Sequence, residues 1–251
     1  MLKIILSGCS GKMGGVITDL VDNDTNTQIV AGVDPYFKEG LKYPVHPTFN
    51  DLPDADVIID FSNPAALDNI LEFATKNNVA VVAATTGYSD DEIAKIKEAA
   101  KKIPVFFTFN MSLGINLLTS LVKRATSILG DGFDIEIIEK HHNQKIDAPS
   151  GTAIMLANAI NETLDNKMIY EYDRHSKREK RGNNEIGIHS VRGGTIVGEH
   201  EVIFAGNNEV LTLTHQAFSK SVFAVGAIRA AKFLKGKSAG LYDMNDLISE
   251  K

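Results

Sequence analysis

At 251 residues with 43% hydrophobic side chains, and with no apolar run near the roughly 20 residues a bilayer span needs, the sequence reads as a soluble globular protein of one or two domains. A formal net charge of -6 excludes general affinity for nucleic acid or an anionic membrane surface. The single cysteine, Cys9, permits no internal disulfide and fits a reducing compartment; an apolar strand begins at once, without a basic leader and cleavage site, so the expected location is the cytoplasm.

In chain order, Leu2 to Leu6 predicts one short buried strand, and from about Lys12 the apolar residues Met13, Val16, Ile17, Leu20 and Val21 recur at helical spacing. Gly8, Gly11 and Gly14 stand at the strand-to-helix turn between them. Without a Cβ they let the backbone turn tightly and approach a ligand, while N–H groups opening the helix point at its negative charge. Gly8, Ser10, Gly11, Lys12, Met13 and Gly14 are therefore predicted to grip a dinucleotide pyrophosphate. Ser10 occupies a position where glycine is common, which alters loop stiffness rather than the grip, and Cys9 reads as a small space-filler. A second apolar strand, Ile29 to Val33, ends at Asp34, about 20 positions beyond the last glycine, where an acid accepts hydrogen bonds from the adenosine 2′-hydroxyl and repels a 2′-phosphate. That favours NADH; Lys12 and Lys38 could neutralise a phosphate, so NADPH stays open.

Three more strand-and-turn units follow. Val57 to Ile59 leads into Asp60-Phe61-Ser62-Asn63-Pro64 and a helix from about Ala65 to Asn77; Val79 to Ala84 leads into Thr85-Thr86-Gly87 and a helix from about Asp90 to Lys101; Val105 to Phe107 leads into Thr108-Phe109-Asn110. Alternating strands and helices predict an α/β fold with an open parallel sheet. Ligands bind along the carboxyl edge of such a sheet, so Phe61, Thr85, Thr86, Gly87 and Asn110 are candidates to line the nicotinamide end, though each suits its turn equally well.

Beyond Asn110 the pattern changes to a helix over about Gly114 to Leu129 and a strand over Phe133 to Lys140, followed by His141-His142-Asn143-Gln144-Lys145-Ile146-Asp147-Ala148-Pro149-Ser150-Gly151-Thr152. Pro149 and Ser150 mark a helix start that Ala153, Ile154, Leu156, Ala157 and Ile160 continue. Ser150, Gly151 and Thr152 then offer donors at a positive helix end, suited to a carboxylate. Lys145 adds a full positive charge, and the histidine pair offers a proton donor near neutral pH. Together they predict reduction of an anionic substrate. No metal is expected, because adjacent histidines on a strand point to opposite faces and the one cysteine lies far away in the glycine turn.

On these motifs the sequence resembles the 4-hydroxy-tetrahydrodipicolinate reductase (dihydrodipicolinate reductase) family over nearly its whole length. The likeness rests on the Gly8 to Gly14 turn, Asp60-Phe61-Ser62, Thr85-Thr86-Gly87, Asn110-Met111-Ser112, the block from Glu139 to Ala153, Gly198-Glu199-His200 and Gly240-Leu241-Tyr242-Asp243-Met244. The resemblance implies a reductase that uses NADH or NADPH on a cyclic imine-type dicarboxylate in the diaminopimelate and lysine pathway. His141 would be the proton donor and Lys145 the second catalytic group, with His142, Ser150, Gly151 and Thr152 binding substrate; Ser62 and Met111 join the cofactor contacts. It also implies a Rossmann-type parallel-sheet nucleotide domain over residues 1–111 and 219–251. Residues 112–218 would form an inserted α+β domain for substrate binding and tetramerisation, with a mixed, mostly antiparallel sheet.

The remaining sequence fits that order. After the charged stretch Glu171 to Glu185 come strands at Ile186 to Val191, Thr195 to Ile203 and Val210 to Gln216, then a small-residue helix over about Val222 to Leu234 that suits close packing on a sheet. Arg174 to Arg181 reads as a solvated loop near the site. Lys220 stands where some relatives carry arginine, so it is left outside the candidate site. A short-chain dehydrogenase site is excluded because none of the six tyrosines has a lysine four positions on. The remaining rivals are an NAD(P)-dependent reductase of another anionic substrate and a dinucleotide-sensing binding protein, which would have no need of a proton donor beside a carboxylate grip.

Overall fold

The computed structural model of the chain describes residues 1–37 and 40–250. Its first stretch runs β1 (Leu2–Ser7), α1 (Lys12–Asp22), β2 (Thr27–Val33), β3 (Val45–His46), β4 (Val57–Asp60), α2 (Leu67–Asn77), β5 (Ala80–Ala83), α3 (Asp90–Ala99) and β6 (Pro104–Phe107). A second compact unit, Gly114–Lys220, is inserted. It holds most of α4 (Leu113–Leu129), then β7 (Asp134–His141), α5 (Gly151–Thr163), β8 (Ile169–Glu171), β9 (Glu185–Arg192), β10 (Gly198–Gly206) and β11 (Glu209–Ala217). The chain then returns to the first unit with α6 (Ser221–Leu234), β12 (Gly240–Tyr242) and α7 (Met244–Ser249).

In the first unit, seven strands form one sheet in the order β12-β6-β5-β4-β1-β2-β3, and every neighbouring pair is parallel. Its inner strands are covered on both faces, which is why they read as unbroken apolar runs rather than alternating ones. On one face, Ile17 and Val21 of α1 pack with Ala224, Ala227, Ala230 and Ala231 of α6 against Ile4 and Leu6; on the other, Ile70 and Ala74 of α2 and Ile96 of α3 pack against Ile5 and Ile58. The sheet is doubly wound. Its order reverses at β1, which has β2 on one side and β4 on the other, so Ser7 and Asp60 lie abreast at the mouth of the crevice where such folds bind ligands.

The second unit has a five-stranded sheet in the order β11-β10-β7-β9-β8, antiparallel from β11 through β7 and parallel from β7 through β8. Helices α4 and α5 cover one face: Ile115, Leu118, Val122, Leu156 and Ile160 meet Ile135, Ile137, Ile188, Val202 and Phe204. The other face carries the half-buried Glu136, Ile138 and Lys140 of β7 and Glu199, Glu201 and Ile203 of β10. No helix among the described residues is long and apolar enough to cross a membrane.

Several boundaries differ from the sequence expectation for local reasons. The helix expected from Ala65 opens as a single 3-10 turn, Pro64–Ala66, capped by Asn63 accepting from the Ala65 N–H, before α2 begins. The strand expected from Thr195 begins only at Gly198, because β9 and β10 flank β7 on opposite sides and residues 193–197 must cross the end of β7. Hydrogen bonds from Gly193 N to the His141 carbonyl (2.9 Å) and from Asn143 N to the Gly194 carbonyl (3.2 Å) fasten that crossing. β3, β8, β12 and α7 have six residues or fewer, too short for a period of 2.0 or 3.6 to register.

Candidate active site

The nucleotide turn takes its shape from two close approaches. Gly8 has φ +77°, and a Cβ there would lie 2.5 Å from the Phe61 carbonyl oxygen, so the turns after β1 and β4 touch through backbone. A Cβ on Gly14 would strike the carbonyl oxygens of Cys9 and Gly8. Only glycine lets the first turn of α1 settle onto the turn it follows. Helix α1 opens at Gly11 without a side-chain cap and without an acidic residue in its first turn, leaving its N-terminal end to an anion. Lys12 is exposed there, while Met13 packs onto the core.

Asp34 sits against that turn. Its carboxylate accepts from Ser10 N (3.1 Å) and from Tyr36 N (2.9 Å), and the residue is half-buried. These residues fit a dinucleotide: a Cβ-free cradle, a helix N-terminus and an acid at the end of the second strand. Lys38, the other lysine considered for a 2′-phosphate, lies outside the described residues.

At the carboxyl ends of β4, β5 and β6 the side chains differ in what they touch. Asp60, only 1% exposed, accepts from Ser62 N (3.2 Å), Ser62 Oγ (2.5 Å), Thr85 Oγ1 (2.7 Å) and Tyr88 OH (3.0 Å). Thr85 also accepts from Ser62 N at 3.0 Å, so its hydroxyl ties two strand ends together. Thr86 and Gly87 are exposed on the same turn, and Phe61 is half-buried. The Asn110 side chain accepts from Ser112 N (2.8 Å). The Met111 side chain is buried in the core that α6 covers, and its carbonyl oxygen lies so close to α6 that a Cβ on Gly226 would strike it.

In the second unit, β-sheet alternation does the assembly. Along β7, Ile135, Ile137, Glu139 and His141 share the helix-covered face. Parallel pairing with β9 sets Ser190 opposite Glu139 and Arg192 opposite His141; antiparallel pairing with β10 sets His200 opposite Glu139. Glu139 and His200 are thus buried at one end of the sheet, with His141 beside them. The N-terminus of α5 meets this group. Ser150 caps it, Oγ accepting from Ala153 N (3.2 Å), and Ser150 N donates to Glu139 Oε1 (3.1 Å).

Glu139 is fully buried and accepts from His141 Nδ1 (2.5 Å) and from both terminal nitrogens of Arg192 (2.6 and 2.8 Å). Burial by itself would raise its pKa; the bidentate guanidinium, with hydrogen bonds from Ser190 and His141, more than reverses this and holds it at about 2. The His141 pKa is lowered, chiefly by burial and further by the charges of Lys145 and Arg192, against which Glu139 pulls it up. His200 is pushed down to about 3 by burial and the neighbouring His141, whose ring meets it edge-on at 5.2 Å. Nε2 of His200 shares a hydrogen bond with the Ser150 hydroxyl (3.0 Å).

The polar groups of Ser150 are therefore engaged within the protein, where it acts as the helix cap. Exposed Gly151 and half-buried Thr152 follow it at the helix end, which has no acidic residue in its first turn. Lys145 pairs with the exposed Asp147 at 2.8 Å. His142 is half-buried, and its Nδ1 has no hydrogen-bond partner among the described residues. Glu139 was legible as a strand neighbour of His141 at i and i+2; Gly198 and His200 entered only as part of the Gly198-Glu199-His200 motif, without a role, and Arg192 carried no local signal.

Comparison with known proteins divides the chain once, near residue 113, and its second part also takes in the returning α6 and β12. The family described as "Dihydrodipicolinate reductase, N-terminus" matches residues 2–111, and "Dihydrodipicolinate reductase, C-terminus" matches residues 114–248. The chain is 53% identical to a 4-hydroxy-tetrahydrodipicolinate reductase of Caldanaerobacter subterraneus subsp. tengcongensis, covering 100% of this chain and 99% of the relative. It is 50% identical to one from Clostridium novyi, with 100% of both chains covered. Among solved structures, a dipicolinate-bound dihydrodipicolinate reductase from Paenisporosarcina sp. TG-14 aligns with a TM-score of 0.81 at 26% identity, covering 98% of this chain and 99% of that one.

Proposed function

The chain belongs to the dihydrodipicolinate reductase family, and from that premise we infer how its residues divide the work. It catalyses the NAD(P)H-dependent reduction of 4-hydroxy-tetrahydrodipicolinate (the hydrated form of dihydrodipicolinate) to tetrahydrodipicolinate in diaminopimelate and lysine biosynthesis, the 4-hydroxyl leaving as water. A bound nicotinamide supplies the hydride; the proton and the positioning come from the chain.

The observation that carries the reading is the imidazole of His141 hydrogen-bonded at 2.5 Å to a buried carboxylate, four positions before Lys145 and nine before the Ser150 cap of α5. His141 donates the proton that follows the hydride. Gly151 and Thr152, at the N-terminus of α5, hold a substrate carboxylate, to which the helix end contributes about 0.3–1 kcal/mol; His142 adds a further contact, and Ser150 fixes the loop as its cap. Lys145 exchanges the Asp147 carboxylate for one of the substrate's and keeps it in register with the proton donor. Support for a dicarboxylate comes also from the Paenisporosarcina relative, whose structure is described as dipicolinate-bound. Gly8, Ser10, Gly11, Lys12, Met13 and Gly14 hold the dinucleotide phosphates, with Phe61, Ser62, Thr85, Thr86, Gly87, Asn110 and Met111 toward the nicotinamide. Homotetramer assembly, through the helix-free face of the five-stranded sheet, and a cytoplasmic location complete the assignment.

Asp34 makes NADH the favoured cofactor, because its carboxylate is ready for a ribose hydroxyl and repels a 2′-phosphate. Oxidation of NADH and, separately, NADPH is followed by loss of nicotinamide absorbance, with substrate freshly made from pyruvate and aspartate semialdehyde by a coupling synthase. The expected result is substrate-dependent oxidation with a higher kcat/KM for NADH, and an Asp34→Ala ratio moved toward NADPH by about tenfold, or ~1.4 kcal/mol. A ratio that ignores Asp34→Ala would remove that residue from cofactor choice. In the same assay Lys145→Ala lowers kcat as well as raising KM. A raised KM with unchanged kcat would reduce Lys145 to uniform binding.

A further inference from the structure

Glu139 is the buried carboxylate that His141 binds, and the reaction as described gives it no role of its own. It lies on the same face of β7 as His141, and Arg192 reaches it across the parallel ladder with a bidentate pair at 2.6 and 2.8 Å. Arg192 also donates to the Asp147 carbonyl at 2.7 Å, so one guanidinium fastens both the carboxylate and the loop that carries Lys145. Held in this way, Glu139 stays ionised and can only accept hydrogen bonds. The 2.5 Å contact with His141 Nδ1 therefore requires the proton to sit on Nδ1.

Resting on the reading of His141 as proton donor, we propose that Glu139, locked by Arg192, is the positioning residue of the reaction: it fixes His141 with its proton on Nδ1 and leaves Nε2 as the atom that exchanges a proton with substrate. The opposite edge of the ring agrees. Nε2 has no hydrogen-bond partner among the described residues, and it faces Gly198 of β10, where a Cβ would come within 3.1 Å of it. A side chain at Gly198 would crowd the very atom the proposal makes reactive.

The charged and titratable groups around the ring come from each neighbouring element: Glu139 from its own strand, Arg192 from β9, His200 from β10 and Lys145 from the following loop. The end of α5 contributes Ser150, which does not titrate and binds Glu139 through its N–H. Among them only Glu139 favours the imidazolium; Lys145 and Arg192 oppose it, and burial opposes it most. Removing the carboxylate charge must therefore make the imidazolium more acidic. Because the imidazolium is the donor, kcat/KM falls as pH rises through the His141 pKa, so loss of the Glu139 charge moves this basic limb toward lower pH.

The test is a nitrogen NMR titration of the His141 ring in the whole protein, alongside the pH profile of kcat/KM. The wild-type neutral ring is expected as the Nδ1–H tautomer. In Glu139→Gln, whose amide oxygen still accepts from Nδ1, both the NMR pKa and the basic limb should fall together by about one unit, a tenfold change in acid constant. An Nε2–H tautomer in the wild type overturns the proposal without any variant having to fold. A Glu139→Gln profile lowered evenly at every pH, with its limb unmoved, also overturns it, since that is what a purely structural role produces. Separately, a His141→Gln enzyme that kept the wild-type rate and limb would overturn the proton-donor reading itself, a failure distinguishable from the other two.

Discussion

His141→Gln is expected to turn over on the order of 10²-fold more slowly or worse, with dinucleotide affinity at the wild-type level. The side chain is nearly buried and its Nδ1 is bound to Glu139 at 2.5 Å. Glutamine is close in size and can donate its amide to the same carboxylate, so the sheet end keeps its packing and the buried charge keeps a partner. What it lacks is a proton it can give up near neutral pH. Rapid-mixing measurements of kcat, paired with a fluorescence titration of NADH, separate the two properties. The nucleotide turn belongs to the other compact unit, which is why its affinity is expected to hold. A variant retaining near wild-type kcat would end the proton-donor assignment.

Gly14→Ala is the second large effect, and Gly15→Ala is its internal control. A Cβ on Gly14 would strike the carbonyl oxygen of Cys9 and lie 2.5 Å from that of Gly8, whereas a Cβ on Gly15 would meet nothing within 4 Å. Both positions lie inside α1, so helix propensity favours alanine equally at each, by up to about 1 kcal/mol. At Gly14 the obstacles are backbone atoms of the phosphate turn, which can retreat only by opening the grip. Overpacking of this kind costs about 1–3 kcal/mol, and it falls on the ligand-binding geometry itself. Isothermal titration with NADH should show at least a tenfold weaker Kd for Gly14→Ala together with a lower melting temperature. Gly15→Ala should bind as the wild type does and melt at the same temperature or higher. Equal binding by both variants would show that the close helix-to-turn approach is not what holds the dinucleotide.

The contrast between these two glycines marks how far the sequence could be read. The strand, the glycine turn and the amphipathic stripe of α1 are consecutive, so their roles follow from spacing alone; yet the three-glycine pattern gave no weight to the neighbour at Gly15 or to the backbone atoms that make Gly14 indispensable. Thr85 and Met111 illustrate the same limit. Each follows a strand at the carboxyl edge of the sheet, where a contact with cofactor is the natural expectation. Burial turned the Thr85 hydroxyl toward Asp60 and the Met111 side chain into the core under α6, because space at the edge is set by the helix that packs there.

By itself the sequence determined the alternation of strands and helices, the glycine turn, the acid at Asp34, and the block from His141 to Thr152 with its helix start at Ser150. All of these are local: their residues lie within one turn, one strand end or one helix start, and short-range geometry dictates which way they face. The environment of His141 was decided only by tertiary structure. Arg192 reaches Glu139 across 53 positions of sequence, and His200 reaches Ser150 across 50. Those meetings depend on the register of β9 and β10 against β7. Register is a property of paired strands, since a slip of one residue would turn Glu139 and His141 to the opposite face, and no single segment carries that information.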